Sequence, residues 1–242
     1  MIDTHAHLDA CAEPPELLVA RARDAGVTRI LTVGTTLERC RAALALADAH
    51  AEVYAVLGIH PHEAGADHDL AELRALLEHP KAVAVGETGL DHFRDYAPRE
   101  RQLALFEAQL ALASELGRTV VVHSRAADDD TLAALAGFAG AVVFHCFSSP
   151  RMLRPALDRG YYVSFAGNVT YKNASDLRVA VSQVPAELLL AETDSPYLSP
   201  QPVRGRPNEP AFVVYTYETL SSVRGEDVAA QVVANAAKAF GV

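Results

Sequence analysis

Two histidines, His5 and His7, stand two residues apart in the opening stretch MIDTHAHLDA. On a helix, side chains at i and i+2 point to different faces, whereas on a strand they share one. A strand therefore presents both imidazoles together, with Asp3 on the same side one step below. Two imidazoles and a carboxylate converging on one point are ligands for a divalent cation. An H-x-H pair also arises by accident in cores and on surfaces, so the reading requires further ligands elsewhere in the chain.

The elements that must position such ligands follow from a recurring pattern. Short apolar, β-branched runs alternate with longer Ala/Leu/Arg/Glu stretches. The runs are MIDTH, Val27 to Val33, Val53 to His60, Ala82 to Glu87, Thr119 to Ser124, Ala141 to Cys146, Tyr161 to Gly167 and Leu188 to Asp194. Near-continuous apolar strands are those covered by helices on both faces of a parallel sheet. Helices are expected after EPPELL and over about Thr36 to His50, Asp67 to Glu78, Pro98 to Leu116, Asp128 to Phe138, Pro150 to Arg159 and Ala174 to Val184. A final pair is expected over Pro210 to Ser222 and Gly225 to Phe240. Eight strands alternating with helices in 242 residues predict one α/β domain, 1–242, folded as a (β/α)8 TIM barrel. An open doubly wound sheet is the runner-up, weakened by the absence of a G-x-G-x-x-G turn or a P-loop.

In a barrel the chemistry lies at the C-terminal strand ends. The first run ends in His5 and His7, the fourth in Glu87, the fifth in His123, the sixth in His145 and the eighth in Asp194. Six ligands exceed what one zinc takes, so two divalent ions with Glu87 as the bridge fit the count better. Imidazole with carboxylate accommodates zinc, manganese, iron or cobalt, and a phosphate substrate admits magnesium, so the sequence leaves the identity of the two ions open among magnesium, manganese and zinc. The three lysines, Lys81, Lys172 and Lys238, stand at no strand end, which argues against a carbamylated-lysine bridge or a Schiff base. No G-x-S-x-G occurs. Cys146 follows His145 directly, and on a strand it would point away from the site into the core.

Composition narrows the function further. Half of the residues are hydrophobic and the formal charge is −10, which argues against coating long duplex DNA through a broad basic face. Cys11, Cys40 and Cys146 are scattered, without a C-x-x-C pair, so reduced thiols are expected. The first ten residues lack the basic-then-apolar pattern of a leader, and no apolar stretch approaches the ~20 residues of a membrane span. A soluble, cytoplasmic protein without membrane or obligate protein partners is the expectation.

The motifs DTHAHLD, GIHPHEA, VGETGLDHFRD, VVHSRAA, FHCFSS, SFAGNVTYKNASDLR, LLLAETDSPYLSP and NEPAF together resemble the TatD family of metal-dependent deoxyribonucleases, in order and over essentially the whole chain. The resemblance implies an amidohydrolase-type barrel with one metal on His5, His7, Glu87 and Asp194 and a second on Glu87, His123 and His145. It also implies phosphodiester hydrolysis, with single-stranded DNA trimmed 3′-to-5′ and nucleic acid as the partner. One departure is that relatives commonly carry arginine directly before Asn-Glu-Pro, whereas here Pro207 precedes Asn208 and the arginine is Arg206.

The mechanism expected is metal-assisted attack of water, with Glu87 and Asp194 as the catalytic carboxylates and Asp194 as general base. Glu192 and Asp3 are expected below the site as supporting carboxylates. Substrate contacts are expected from His62, His92, Arg125, Lys172 and Arg206, with His60, Arg94 and Arg204 on the same loops. Base stacking would fall to Phe93, Tyr96, Tyr171 or Tyr197, since there is no tryptophan. Two rival readings predict different behaviour. A barrel hydrolase of carbonyl bonds (a deaminase, a lactonase or an aminoacyl-tRNA esterase) would cleave esters or amides, and a metal-holding barrel without turnover would cleave nothing.

Overall fold

Eight parallel strands lie side by side in sequence order, and the computed structural model describes residues 1–94 and 96–242 of the chain. The strands are β1 (Ile2–Ala6), β2 (Arg29–Gly34), β3 (Val53–Leu57), β4 (Ala82–Asp91), β5 (Thr119–Arg125), β6 (Val142–Phe144), β7 (Tyr162–Phe165) and β8 (Leu189–Ala191). The ring closes where Ala6 bridges Ser195: His7 N–H donates to Ser195 O at 2.7 Å and Asp194 N–H to His5 O at 2.9 Å. This is the expected (β/α)8 TIM barrel.

The helices are α1 (Pro15–Asp24), α2 (Leu37–Ala49), α3 (Leu70–Leu77), α4 (Arg99–Leu116), α5 (Asp128–Ala134), α6 (Pro150–Asp158), α7 (Ser175–Gln183), α8 (Val213–Arg224) and α9 (Ala229–Phe240). Their buried faces follow helical spacing. In α2, Cys40, Ala43, Leu44 and Ala47 are buried at i, i+3, i+4 and i+7, and the Thr36 side chain caps the first turn by accepting from Arg39 N–H. None of the helices among the described residues is long and apolar enough to cross a membrane.

Three strands differ from the sequence expectation at the ends that matter. β4 runs on past Glu87 to Asp91. Its composition explains why: Gly86 and Gly89 lie at φ +153° and +136°, and a Cβ on Gly89 would meet His123 O at 2.0 Å. Only glycine lets β4 press this closely on β5. β6 stops at Phe144 and β8 at Ala191, so His145, Cys146, Glu192 and Asp194 lie in the loops just beyond.

Two glutamines of α4 hold the end of β4 and the chain just after β3 in place. Gln102 accepts from Asp91 N–H (2.9 Å) and donates to Asp91 O (3.1 Å), while Gln109 donates to Thr88 Oγ1 (2.7 Å) and brackets Ile59 from both sides. Both are buried, so each of these bonds replaces water that cannot reach the backbone.

Candidate metal centre

Glu87 stands at the centre, with its two oxygens facing opposite ways. Oε2 looks toward His5 Nε2 (3.5 Å) and His7 Nε2 (3.8 Å), and Asp194 Oδ1 closes that group 3.6 Å from His7 Nε2. Oε1 looks toward His145 Nε2 (2.7 Å), His123 Nδ1 (2.8 Å) and His60 Nε2 (3.3 Å). Three overlapping groups of ligand atoms result: His5 with His7 and Asp194, His5 with Glu87 and His145, and His60 with Glu87 and His123. All six residues expected as ligands are thus brought together.

The chemistry of the set fits divalent cations. All donors are imidazole nitrogens or carboxylate oxygens, and His5 and His7 aim their Nε2 atoms at one another, 3.3 Å apart. A metal-binding imidazole ordinarily gives its far nitrogen to an acceptor, which fixes its tautomer. His7 Nδ1 lies 3.3 Å from Val33 O, and His123 Nε2 lies 3.3 Å from Asp91 Oδ2. His145 Nδ1 lies 3.3 Å from Glu192 Oε1, though outside hydrogen-bond geometry, and His5 Nδ1 has no partner among the described residues.

His60 differs. Its Nδ1 accepts a hydrogen bond from His62 N–H (3.1 Å), so the proton sits on Nε2, which faces Glu87. Burial pushes its pKa down to about 4, which keeps the ring neutral. In that tautomer His60 Nε2 carries a proton toward Glu87 and offers no lone pair to a cation.

The electrostatics of the remaining groups are mutual. Burial pushes the Glu87 carboxyl up, but His145, His60 and His123 outweigh it and hold the group well below its ordinary value. Asp194 is likewise raised by burial and lowered more by His7, His5 and His145. Burial pushes His7, His123 and His145 down, and the facing carboxylates raise all three past their ordinary value. His5 falls below it, through burial and then the neighbouring His145. Asp194 holds φ +55°, a left-handed conformation that aspartate tolerates better than most residues and that turns its carboxylate back over the barrel.

The supporting carboxylates divide their work. Glu192, buried, accepts from Cys146 N–H at 2.7 Å and from Ser164 Oγ, holding the loop that carries His145. Asp3 accepts from Thr193 N–H (2.9 Å), Thr193 Oγ1 (2.6 Å) and His5 N–H (3.3 Å), which locks the start of the chain to the loop after β8. Asp91, which sequence reasoning did not single out, is buried beside the cluster: Oδ2 faces His62 Nε2 (2.8 Å) and His123 Nε2 (3.3 Å), and Oδ1 accepts from Phe93 and Arg94 N–H (2.9 Å each). Its signal was its place four residues after Glu87, on the same strand face once β4 is allowed to continue.

The cluster opens into a cavity of about 760 Å³. His62, Arg125 and Arg94 line it, as do Tyr96, Tyr197 and Arg39. Arg39, from the start of α2, escaped sequence reasoning because nothing in its local pattern distinguishes it from a solvated helix residue. Other expected substrate contacts lie off the cavity wall. The His92 ring turns to Asp130 (Nδ1 to Oδ2 3.6 Å), Lys172 is exposed beyond the mouth, and Arg206 stacks outside on Phe212 at 5.2 Å. Arg204 and Tyr171 stack on each other, also off the wall. Cys146 lines the cavity instead of entering the core, because β6 has ended and the residue turns to φ +44°. Strand alternation does not apply to it.

The Asn-Glu-Pro stretch braces the loop after β8. Asn208 Nδ2 donates to Thr193 O (2.9 Å) and Tyr197 O (2.6 Å), and Glu209 takes a forked pair from Arg21 Nε and Nη2.

Comparison with known proteins places these features in context. The family model "TatD related DNase" matches residues 2–241. An "Uncharacterized metal-dependent hydrolase TatD" of Mycobacterium tuberculosis is 40% identical, covering 100% of this chain and 98% of the relative. A "3'-5' ssDNA/RNA exonuclease TatD" of Pantoea ananatis is also 40% identical, over 96% of this chain and 95% of that protein. Among solved structures, the TatD homologue YJJV of Escherichia coli superposes with a TM-score of 0.92 at 34% identity, covering 100% of this chain and 98% of that one.

Proposed function

Because the chain belongs to the TatD-related DNase family of metal-dependent hydrolases, we propose that it hydrolyses phosphodiester bonds and trims single-stranded DNA from the 3′ end. The observation that carries this reading is the division of Glu87, one oxygen toward each of two ligand groups, beneath a cavity walled by Arg39, Arg94 and Arg125. The whole chain, residues 1–242, works as one barrel unit, acting in the cytoplasm.

One divalent ion held by His5, His7, Glu87 and Asp194, and a second by Glu87, His123 and His145, would supply Lewis-acid activation of water and neutralise charge on the phosphate. The residues do the rest. Asp194, kept ionised by His7, is the base that takes the proton of the attacking water at Oδ2, the oxygen not facing His7. Asp91 holds His123 from behind, and Glu192 holds the loop that carries His145 through Cys146 N–H. His60 Nε2, 3.3 Å from Glu87 Oε1, helps keep Glu87 aligned between the two groups. His62 and Arg125, on the cavity wall, bind the strand.

The test uses metal-stripped protein, wild type and Glu87→Ala in parallel, on single-stranded DNA labelled at either end, with magnesium, manganese and zinc restored in turn. Trimming from the 3′ end by wild type alone, and only with metal, is the expected result. Equal trimming by both preparations would mark a contaminant. Absence of trimming by wild type with every metal would move the activity to carbonyl substrates.

A further inference from the structure

Phe93 is 61% exposed, two residues after buried Asp91, and lies against Arg125 of the cavity wall. An exposed phenylalanine gains nothing from the core, yet this one is occupied on its face. The Arg125 guanidinium stands 4.0 Å from the ring centroid, and that of Arg94 stands 5.6 Å away. Stacking of this kind holds a guanidinium flat and leaves its N–H fork free.

The backbone beneath the stack is pinned. Phe93 and Arg94 N–H both donate to Asp91 Oδ1, and His92 N–H donates to Arg125 O at 2.8 Å. The loop carrying the ring and the strand end carrying the arginine therefore hold each other in register. Arg39 on the same cavity pairs with Asp9 at 3.3 Å, whereas among the described residues Arg125 pairs with no carboxylate.

Register sets what Arg125 can reach. It lies two residues beyond His123 on β5, on the same face. Two residues of a parallel strand span about 6.6 Å, comparable to the step between successive phosphates of an extended nucleic-acid strand. Resting on the strand-trimming reading above, we propose that Arg125 is the subsite for the phosphate one nucleotide in from the scissile bond. Phe93 is its positioning residue, holding the guanidinium flat with its fork turned to the strand.

Two substrates separate this subsite from the chemistry: bis(p-nitrophenyl) phosphate, which has a single phosphate, and an end-labelled oligodeoxynucleotide. Arg125→Ala should lower the ratio of kcat/KM on the oligonucleotide to that on the diester by about tenfold, the worth of one charge-assisted contact. The loss should fall on KM, and the slope of log KM against log salt should shrink by about 0.7, as for one released counterion on a single strand. Phe93→Ala should give part of the same loss, and Phe93→Tyr should restore it, because the ring and not the bulk is required. Both positions are exposed, so the variants should melt with wild type. An unmoved ratio in Arg125→Ala, with wild type active on both substrates, overturns the subsite alone. A loss from Phe93→Ala that Phe93→Tyr does not restore overturns the role of the ring. A wild type that cleaves the diester but leaves the oligonucleotide whole, or that cleaves neither, overturns the strand reading and the subsite with it.

Discussion

Asp91→Asn is the perturbation that best isolates support of the metal centre from the centre itself. The buried carboxylate presents Oδ2 to His123 Nε2 at 3.3 Å and to His62 Nε2 at 2.8 Å. Its charge is secure, since burial pushes its pKa up but His123, the Arg94 N–H and His62 hold it far below the ordinary value. His123 faces Glu87 through Nδ1 and Asp91 through Nε2; with a cation on Nδ1, the remaining proton belongs on Nε2, where Asp91 accepts it. Asparagine keeps Oδ1 for the N–H groups of Phe93 and Arg94, so the loop stays anchored. At Oδ2 it places a neutral amide, which cannot accept from His123 in the tautomer that frees Nδ1. One charge-assisted bond to a buried group is worth about 1.5–3 kcal/mol, or roughly 10–100-fold in affinity, the range typical of carboxylates that back a metal-binding histidine. Titration of metal-stripped protein with manganese by calorimetry, alongside the manganese dependence of DNA trimming, should show the loss confined to the ion on the His123 side. An Asp91→Asn variant that binds manganese as tightly as wild type would refute the assignment of the His123 tautomer and the role of Asp91 with it.

Three further outcomes are expected. Metal-free protein should be most stable near pH 6.5: the pKa values of His7, His123 and His145 are raised, so their contribution is complete below about 6.5 and is lost as pH climbs through the folded values, while His5 and His60, held neutral, weaken the fold only below about 6.5. A melting temperature of stripped protein that climbs steadily from pH 6 to 9 would contradict this. Asp3→Asn should gain on wild type as pH rises from about 4 through 8, because burial pushes the Asp3 pKa up to about 8 and its ionisation in that interval opposes folding. Urea unfolding at pH 5.5 and 8.5 reads this directly, and an equal difference at both values would contradict it. Lys81→Met should lower stability by about 2–3 kcal/mol, since Lys81 Nζ donates to Ala47 O (2.5 Å), His50 O (2.7 Å) and Val53 O (3.1 Å) and so closes the carboxyl end of α2. An unchanged urea midpoint would exclude that role.

The hydrophobic rhythm made the barrel and its ligands legible, and its limits explain what was missed. A parallel strand buried on both faces must be apolar until it reaches the solvent-facing rim, so the ligand-type residues in which each run ends mark the rim. This rule locates His5, His7, Glu87, His123, His145 and Asp194 without knowledge of any contact. It fails wherever a polar residue lies past a stop that is not a stop. Gly86 and Gly89 let β4 continue to Asp91, and a glycine-rich run of mixed polarity reads as a turn. It fails again where the strand ends early, as with Cys146, whose side is set by a left-handed backbone and not by alternation. Residues brought in by helices, such as Arg39, carry no mark in their own neighbourhood.

The same geometry makes the site depend on closure of the ring. His5, His7 and Asp194 lie across the seam between the first and last strands, which is held by Asp3 on Thr193 and by the His7–Ser195 and Asp194–His5 backbone bonds. Asn208 and Glu209 then tie the loop that follows to Thr193, Tyr197 and Arg21 of α1. Glu87 comes from the opposite side of the ring and meets both halves. The ligands on the seam can therefore reach Glu87 only when the first and last strands are joined. Cations bound there hold the two ends of the chain together, so their binding free energy adds to that of closure. Stripping the metal should accordingly loosen the β1–β8 seam before the β4–β5 pair, in which Glu87, His123 and Asp91 remain hydrogen-bonded to one another without it. Amide exchange of His7 and Asp194, compared with that of Thr88 and Ser124 in metal-free protein, distinguishes the two: equal protection of both pairs would show that the seam stands without the ions.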